Sequence, residues 1–137
     1  MLRSLLKISN AMKLFKLWLP VFSWCWLIFY LSSIPNLSTG WGVWDLILRK
    51  AAHITEYFIL TFLLYRAFKG SFNLSSFYLF LWSLSLPFLY AVSDEIHQAF
   101  VPVRSGSPKD VFIDTIGIII FYILIKYNNK FRKTVVS

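Results

Sequence analysis

Lys50, His53 and Glu56 recur at three-residue steps, so a helix would place them on one face, with Tyr57 beside them. Tyr90, Asp94 and His97 follow an i, i+4, i+7 pattern, with Ser93 near His97, and Glu95 and Gln98 share a neighbouring face. Asp110, Asp114 and Gly117 repeat that i, i+4, i+7 spacing. Arg104 and Ser107 lie in the Val-Pro-Val-Arg-Ser-Gly-Ser stretch between the last two groups. These residue types allow several chemistries. Histidine nitrogens and carboxylate oxygens are ligands for a divalent metal, so His53, His97, Glu56, Asp94, Glu95 and Asp114 are suitable donors, with His53, Glu56 and His97 as the leading candidates; no zincin motif is present. Glu56, Asp94, Glu95 and His97 are candidate acid–base groups, since crowded carboxylates can share a proton and donate it. Arg104 could grip a phosphate or carboxylate through two N–H groups, beside a helix N-terminus that also favours anions. Lys50, His53, Tyr57, Gln98, Ser107, Asp110 and Asp114 would then line the site as binding residues. Ligand binding without chemistry, or polar packing between helices, accounts for the same residues, and no Ser-His-Asp order, glycine-rich phosphate loop or Cys-x-x-Cys decides among them.

The elements that must carry these stripes are apolar. Four segments have the length and composition of membrane-spanning helices: about Leu17–Ser33, Asp45–Phe68, Ser75–Tyr90 and Pro108–Tyr127. Pro20 falls in the first turn of the first, where a missing N–H costs little. Asp45 reads as the N-cap of the second and Gly70 as its stop. Pro87 predicts a kink in the third, which continues through Gln98 towards Pro102 because no breaker interrupts it. Ser107, Pro108 and Asp110 form an N-terminal signature for the fourth, with Asp110 as the capping-box acid. Gly117 would let a neighbouring helix come close. The expectation is an all-α integral membrane four-helix bundle with short loops. It spans residues 17–127, between a basic segment, 1–16, and a basic tail, 128–137. The first 14 residues could also form a surface helix with Leu2, Leu5, Leu6 and Met12 on one face. Three further spans and no small-x-small cleavage site argue that the first apolar run is a retained helix and not a signal peptide.

Composition agrees. Of 137 residues, 58% are hydrophobic and only 15% charged, against about 45–50% apolar and about 25% charged in soluble domains. Intrinsic disorder is excluded by the apolar content. A disulfide scaffold is excluded because Cys25 is the sole cysteine, inert within a span. The net charge of +8 would suit nucleic acid in a soluble protein. Here the cations sit between and beyond the apolar runs, as topology determinants do, so no nucleic-acid partner is expected. Arg3, Lys7, Lys13, Lys16, Arg66, Lys69, Lys126, Lys130, Arg132 and Lys133 fall on one side of a four-span arrangement, with no acid among them. The positive-inside rule puts that side, and both termini, in the cytoplasm. All six acids lie towards the other side, and Trp41 and Trp44 sit at its interface. A polar cavity open to the outside follows, since Glu56 or Asp114 facing lipid would cost several kcal/mol each.

Lys50-Ala-Ala-His53-Ile-Thr-Glu56-Tyr57, then Ser93-Asp94-Glu95-Ile-His97-Gln98-Ala-Phe100-Val-Pro102-Val-Arg104-Ser-Gly106-Ser107, then Asp110 and Asp114-x-x-Gly117, resemble the VanZ-like family over about residues 17–125. Leu31-Ser32-Ser33-Ile-Pro35 also resembles its pattern. The resemblance implies a small multi-pass protein of the bacterial cytoplasmic membrane. The family's name comes from a member linked to low-level resistance to the glycopeptide teicoplanin without resistance to vancomycin, and no mechanism is established for it. Membrane lipids, and a glycopeptide or lipid-linked cell-wall precursor, are the partners this implies. Association into oligomers is open, though no Gly-x-x-x-Gly motif appears. The sequence departs from the family pattern at Val103 and Asp114, where glycine and asparagine are frequent.

Overall fold

The structure, a computed structural model, describes residues 2–35, 40–104 and 106–136; the side chains of residues 2–9, 129 and 136 are outside the description. It is all-helical: α1 (Leu2–Ser32), α2 (Val43–Ser71), α3 (Ser76–Ala99), α4 (Pro108–Tyr127) and a short α5 (Asn129–Val136). Described residues contain no strand.

The basic N-terminal segment is not a separate element. Leucine, lysine and methionine sustain helix, and no glycine or proline precedes Pro20, so α1 runs unbroken for 31 residues. Pro20 therefore lies deep inside α1 and not in its first turn. Of the proposed surface stripe, Met12 is exposed, whereas Leu2, Leu5 and Leu6 lie outside the described side chains. At about 1.5 Å per residue α1 is about 46 Å long, well beyond a hydrocarbon core of about 30 Å. Helix α2 begins after Gly42, which takes φ 60°. Asp45 is not the N-cap, which is Gly42 with no side-chain cap; it sits in the first turn, where its Oδ2 accepts from Trp41 N–H at 3.1 Å and so ties down the residue before the cap. Gly70 is still helical, and α2 stops one residue later. Leu17 packs over Gly70 where a side chain would stand. Helix α3 continues through Pro87 and ends at Ala99. Helix α4 starts as its signature predicts: Ser107 Oγ accepts from Lys109 N–H at 3.2 Å and Pro108 occupies the first turn.

Helix α2 is the hub. Tyr57, Leu60, Leu64 and Ala67 form its buried face, in one cluster with Val21 and Ile28 of α1, Ala91 of α3 and Ile118 of α4. Helices α2 and α4 come close at Gly117, as its missing side chain predicts. A Cβ there would run into Ile54 O and come within 2.9 Å of Phe58 N. Polar cross-links tie the bundle at several levels. Trp18 Nε1 donates to Ser71 Oγ, Trp24 Nε1 to Glu56 O, and Tyr90 Oη to Cys25 O. Ser83 Oγ lies 2.6 Å from Tyr122 Oη.

The basic tail ends in a helix that the sequence reading leaves as tail. Asn128 Oδ1 accepts from Phe131 N–H at 3.0 Å and so caps α5. Phe131 then packs against Phe58, Phe62 and Phe121, and Val135 is buried one turn later.

Among the described residues two helices are long and apolar enough to cross a membrane: α1 over Asn10–Ser32, and α3. Only 11% and 17% of their apolar windows are buried, so neither is the enclosed core helix of a water-soluble fold. Phe22, Trp26, Phe77 and Leu89 point outward, which suits a hydrocarbon solvent better than water.

Candidate functional site

The three polar stripes meet where α2, α3 and α4 converge with the end of α1. The Gly117 contact brings α4 close enough for His53 Nδ1 to lie 2.9 Å from Asp114 Oδ1. Asp114 is fully buried and its Oδ2 has no hydrogen-bond partner among the described residues. Glu95 approaches from α3. Its Oε2 accepts the Ser107 N–H at 2.9 Å, and its Oε1 is buried and also unpartnered. Glu95 thus supplies, from another helix, the contact to the cap residue's N–H that a capping-box acid would make. Asp110 pairs instead with Lys50, Oδ1 to Nζ 3.5 Å, in a half-exposed bridge. Gly106 makes the Glu95 approach possible, since a Cβ there would meet Glu95 O and stand 3.1 Å from Ala99 N. Ligand atoms of His53, Glu95 and Asp114 lie within 4.8 Å of one another.

Around this trio the remaining residues divide. Gln98 Nε2 donates to Asp94 Oδ2 at 3.0 Å and to Ser32 Oγ at 3.3 Å, so Asp94 and Gln98 form a buried link to α1. Tyr57 is fully buried, within electrostatic range of Asp94 and Asp114, and its hydroxyl has no partner among the described residues. His97 turns to α1: its Nε2 lies 3.1 Å from Ser33 Oγ, and its ring centroid is 4.5 Å from that of Phe29. The metal candidates are therefore regrouped. The structure gathers His53 with Glu95 and Asp114, while His97 and Glu56 stand outside that set.

Glu56 lines a cavity of about 260 Å³ between α1 and α2, together with His53, Arg49, Arg104, Asp45 and Ser32. Arg104 reaches the rim by donating from Nη2 to Leu31 O at 3.3 Å, one residue from the α1 exit. Burial, and after it the charge of Arg49, pull the Arg104 guanidinium below the usual arginine range, so an anion in the cavity would relieve both. Arg49 reads in the sequence as a solvated cation. Its place on the cavity has one sequence signal, a position four residues after Asp45 and four before His53 on the same helical face. Ser32 and Ser33 enter the sequence reading only within the Leu31–Pro35 pattern, and nothing in their spacing marks their contacts with Gln98 and His97. A larger groove of about 1050 Å³ along Phe22, Trp26 and Leu63 carries no titratable group. An apolar groove between α3 and α4, about 420 Å³, reaches Glu95 from the other side and is lined by Phe88, Val92, Val111 and Phe112.

Chemically, the arrangement offers an imidazole oriented by a buried carboxylate, a carboxylate and two guanidinium groups on one cavity, and two unpartnered carboxylate oxygens behind it. Such a set can bind an anion, hold a cation, or move a proton.

Val103, where the family pattern often has glycine, takes φ 67°, the left-handed region that glycine enters freely and a β-branched residue does not. Ser105, part of the quoted motif, lies outside the described residues. No curated protein and no solved structure matches the chain. Residues 5–129 match the family model described as VanZ/LLP1, and the chain, a membrane protein by its two apolar, outward-facing helices, belongs to that family.

Proposed function

We propose that this chain spans the bacterial cytoplasmic membrane four times, with both termini inside, and lowers susceptibility to teicoplanin by binding or modifying an anionic envelope lipid or precursor at an outward-facing site. The observation that carries the reading is the cavity where Arg49 and Arg104 meet His53 and Glu56. Two guanidinium groups suit a phosphate or carboxylate, and the adjoining apolar grooves suit acyl chains. Helices α2 and α4 complete the spans in this reading. At the ends that hold the site Lys50 pairs with Asp110 and His53 with Asp114 across the bundle, which is how membrane interiors tolerate such groups. Arg66 and Lys69 near the end of α2, and the basic residues of the tail, then face the cytoplasm.

The test is teicoplanin and vancomycin susceptibility in a sensitive Gram-positive host. It would express the wild type, Glu56→Gln, Asp94→Asn, His97→Ala and Arg104→Ala, with membrane levels matched. Protection from teicoplanin alone, lost in Glu56→Gln and Arg104→Ala, supports the reading. A well-inserted wild type that protects from neither antibiotic refutes the resistance role.

One observation favours a second reading. With Asp114 holding Nδ1, His53 is left with Nε2 for chemistry, the arrangement of an acid–base catalyst. The chain would then be an enzyme acting on a lipid-linked substrate unrelated to antibiotics. Product formation by purified wild type but not by His53→Ala would establish it. Anion binding without turnover would leave a non-catalytic scaffold.

A further inference from the structure

Two carboxylate oxygens at the centre of the site lack what buried anions need. Glu95 is 5% exposed and Asp114 0%. Each has one oxygen engaged, by the Ser107 N–H and by His53 Nδ1. Their other oxygens, Oε1 and Oδ2, find no hydrogen-bond partner among the described residues. A buried carboxylate oxygen left bare is costly, and the usual remedies are an ordered water, a proton or a cation. Geometry favours the cation. Three helices each bring one donor, and the donors of His53, Glu95 and Asp114 all lie within 4.8 Å of one another. Donors about 2.0–2.2 Å from one zinc ion stand up to roughly 4 Å apart, so a single ion between them needs only a small inward adjustment.

We propose that His53, Glu95 and Asp114 bind one divalent transition-metal ion. One imidazole nitrogen and two carboxylate oxygens suit Zn²⁺ or Mn²⁺ better than Ca²⁺, which takes six or more oxygens. The two carboxylates neutralise the ion's charge, as its burial requires. The engaged oxygens have a role of their own. An ion bound at His53 Nδ1 would take the place of the proton between that nitrogen and Asp114 Oδ1, and the Ser107 N–H fixes the Glu95 carboxylate at the start of α4. Three protein ligands leave coordination positions open. His53 is shared with the cavity of Arg49, Arg104 and Glu56, so an anion held there could complete the ion's shell. The site is the one on which the proposed function rests, but ion binding depends on neither the antibiotic nor an envelope ligand.

The experiment uses the full chain, purified in detergent without a polyhistidine tag, stripped with EDTA and dialysed against Zn²⁺, Mn²⁺, Mg²⁺ or Ca²⁺. Bound metal is counted by mass spectrometry and thermal unfolding is followed in parallel. The expected result is about one Zn²⁺ or Mn²⁺ per chain and a Tm that falls on stripping and returns on reloading. Glu95→Gln and Asp114→Asn keep the shape and the hydrogen-bond acceptors for Ser107 and His53. Each should weaken ion binding at least about tenfold, whereas His97→Ala should bind as wild type does. A wild type that stays metal-free with unchanged Tm overturns the proposal and leaves a shared proton or an ordered water as the partner of the two oxygens. Undiminished binding by the Glu95→Gln, Asp114→Asn double variant overturns it as well. Ion binding without teicoplanin protection would sink the antibiotic role and leave the metal site standing.

Discussion

Replacing Gly117 with alanine should loosen the helix pair that holds His53 against Asp114. An added Cβ would run into Ile54 O and stand 2.9 Å from Phe58 N and 3.1 Å from Ile54 C. All three are backbone atoms of α2, so no side chain can rotate out of the way. The helices would have to part by about 1 Å, and overpacking of this kind costs about 1–3 kcal/mol. Alanine returns up to about 1 kcal/mol through its better helix propensity. The net expectation is a loss of about 1–2 kcal/mol. The same displacement acts on the site, because Ile54 follows His53 and Asp114 lies three residues before Gly117. The 2.9 Å His53–Asp114 contact should lengthen beyond hydrogen-bonding distance. Unfolding in mixed micelles, titrated with a denaturing detergent and followed by tryptophan fluorescence, measures the stability loss. Ile116→Ala, on the exposed side of α4, serves as control. A Gly117→Ala chain as stable as wild type, or more so, would refute the reasoning, since the propensity gain would then outweigh a contact that is not there.

Three further outcomes can be stated. Val103→Gly should stabilise the chain by about 0.5–1 kcal/mol: relief of a left-handed β-branched residue gives about 1–2 kcal/mol, less the chain entropy glycine adds. Val103 is exposed and loses no packing, so a destabilised variant in the same detergent titration would show that φ 67° carries no strain. Gly106→Ala should cost about 1–3 kcal/mol by driving the connection away from Glu95 O and Ala99 N, and an unaltered Tm would mean that the α3–α4 connection is looser than drawn. Reporter tags at residue 1, in the 72–75 connection between α2 and α3 and at residue 137 should be cytoplasmic, and a tag in the 102–108 loop should be outside. The opposite pattern would put the polar site in the cytoplasm and end direct contact with an external antibiotic.

What the sequence determined by itself is the helical class, the polar stripes and the start of α4. These follow from short-range rules: hydrophobic run length, three- and four-residue spacing, and the Ser-Pro signature at residues 107–108. Gly117 was legible for the same reason, because a glycine between apolar residues on a helix already carrying a stripe marks an approach. Helix ends were less legible. Asp45 lies in the first turn of α2 and not at its N-cap, Gly70 stays helical under Leu17, and Pro20 is tolerated mid-helix; at Gly70 and Pro20 a tertiary neighbour or the long apolar helix outweighs a local preference. The α5 helix went unread because Lys130, Arg132 and Lys133 dominate its composition, while its place depends on one aromatic, Phe131, finding Phe58 and Phe121. Only the tertiary structure decided which polar residues meet. Spacing along one helix places His97 and Asp94 on a common face, yet the crossing of α3 with α1 turns His97 to Ser33 and Phe29 and leaves Glu95 to join His53 and Asp114. A helical period tells which residues share a face; the rotation of that face towards one neighbour or another is set by packing across the whole bundle.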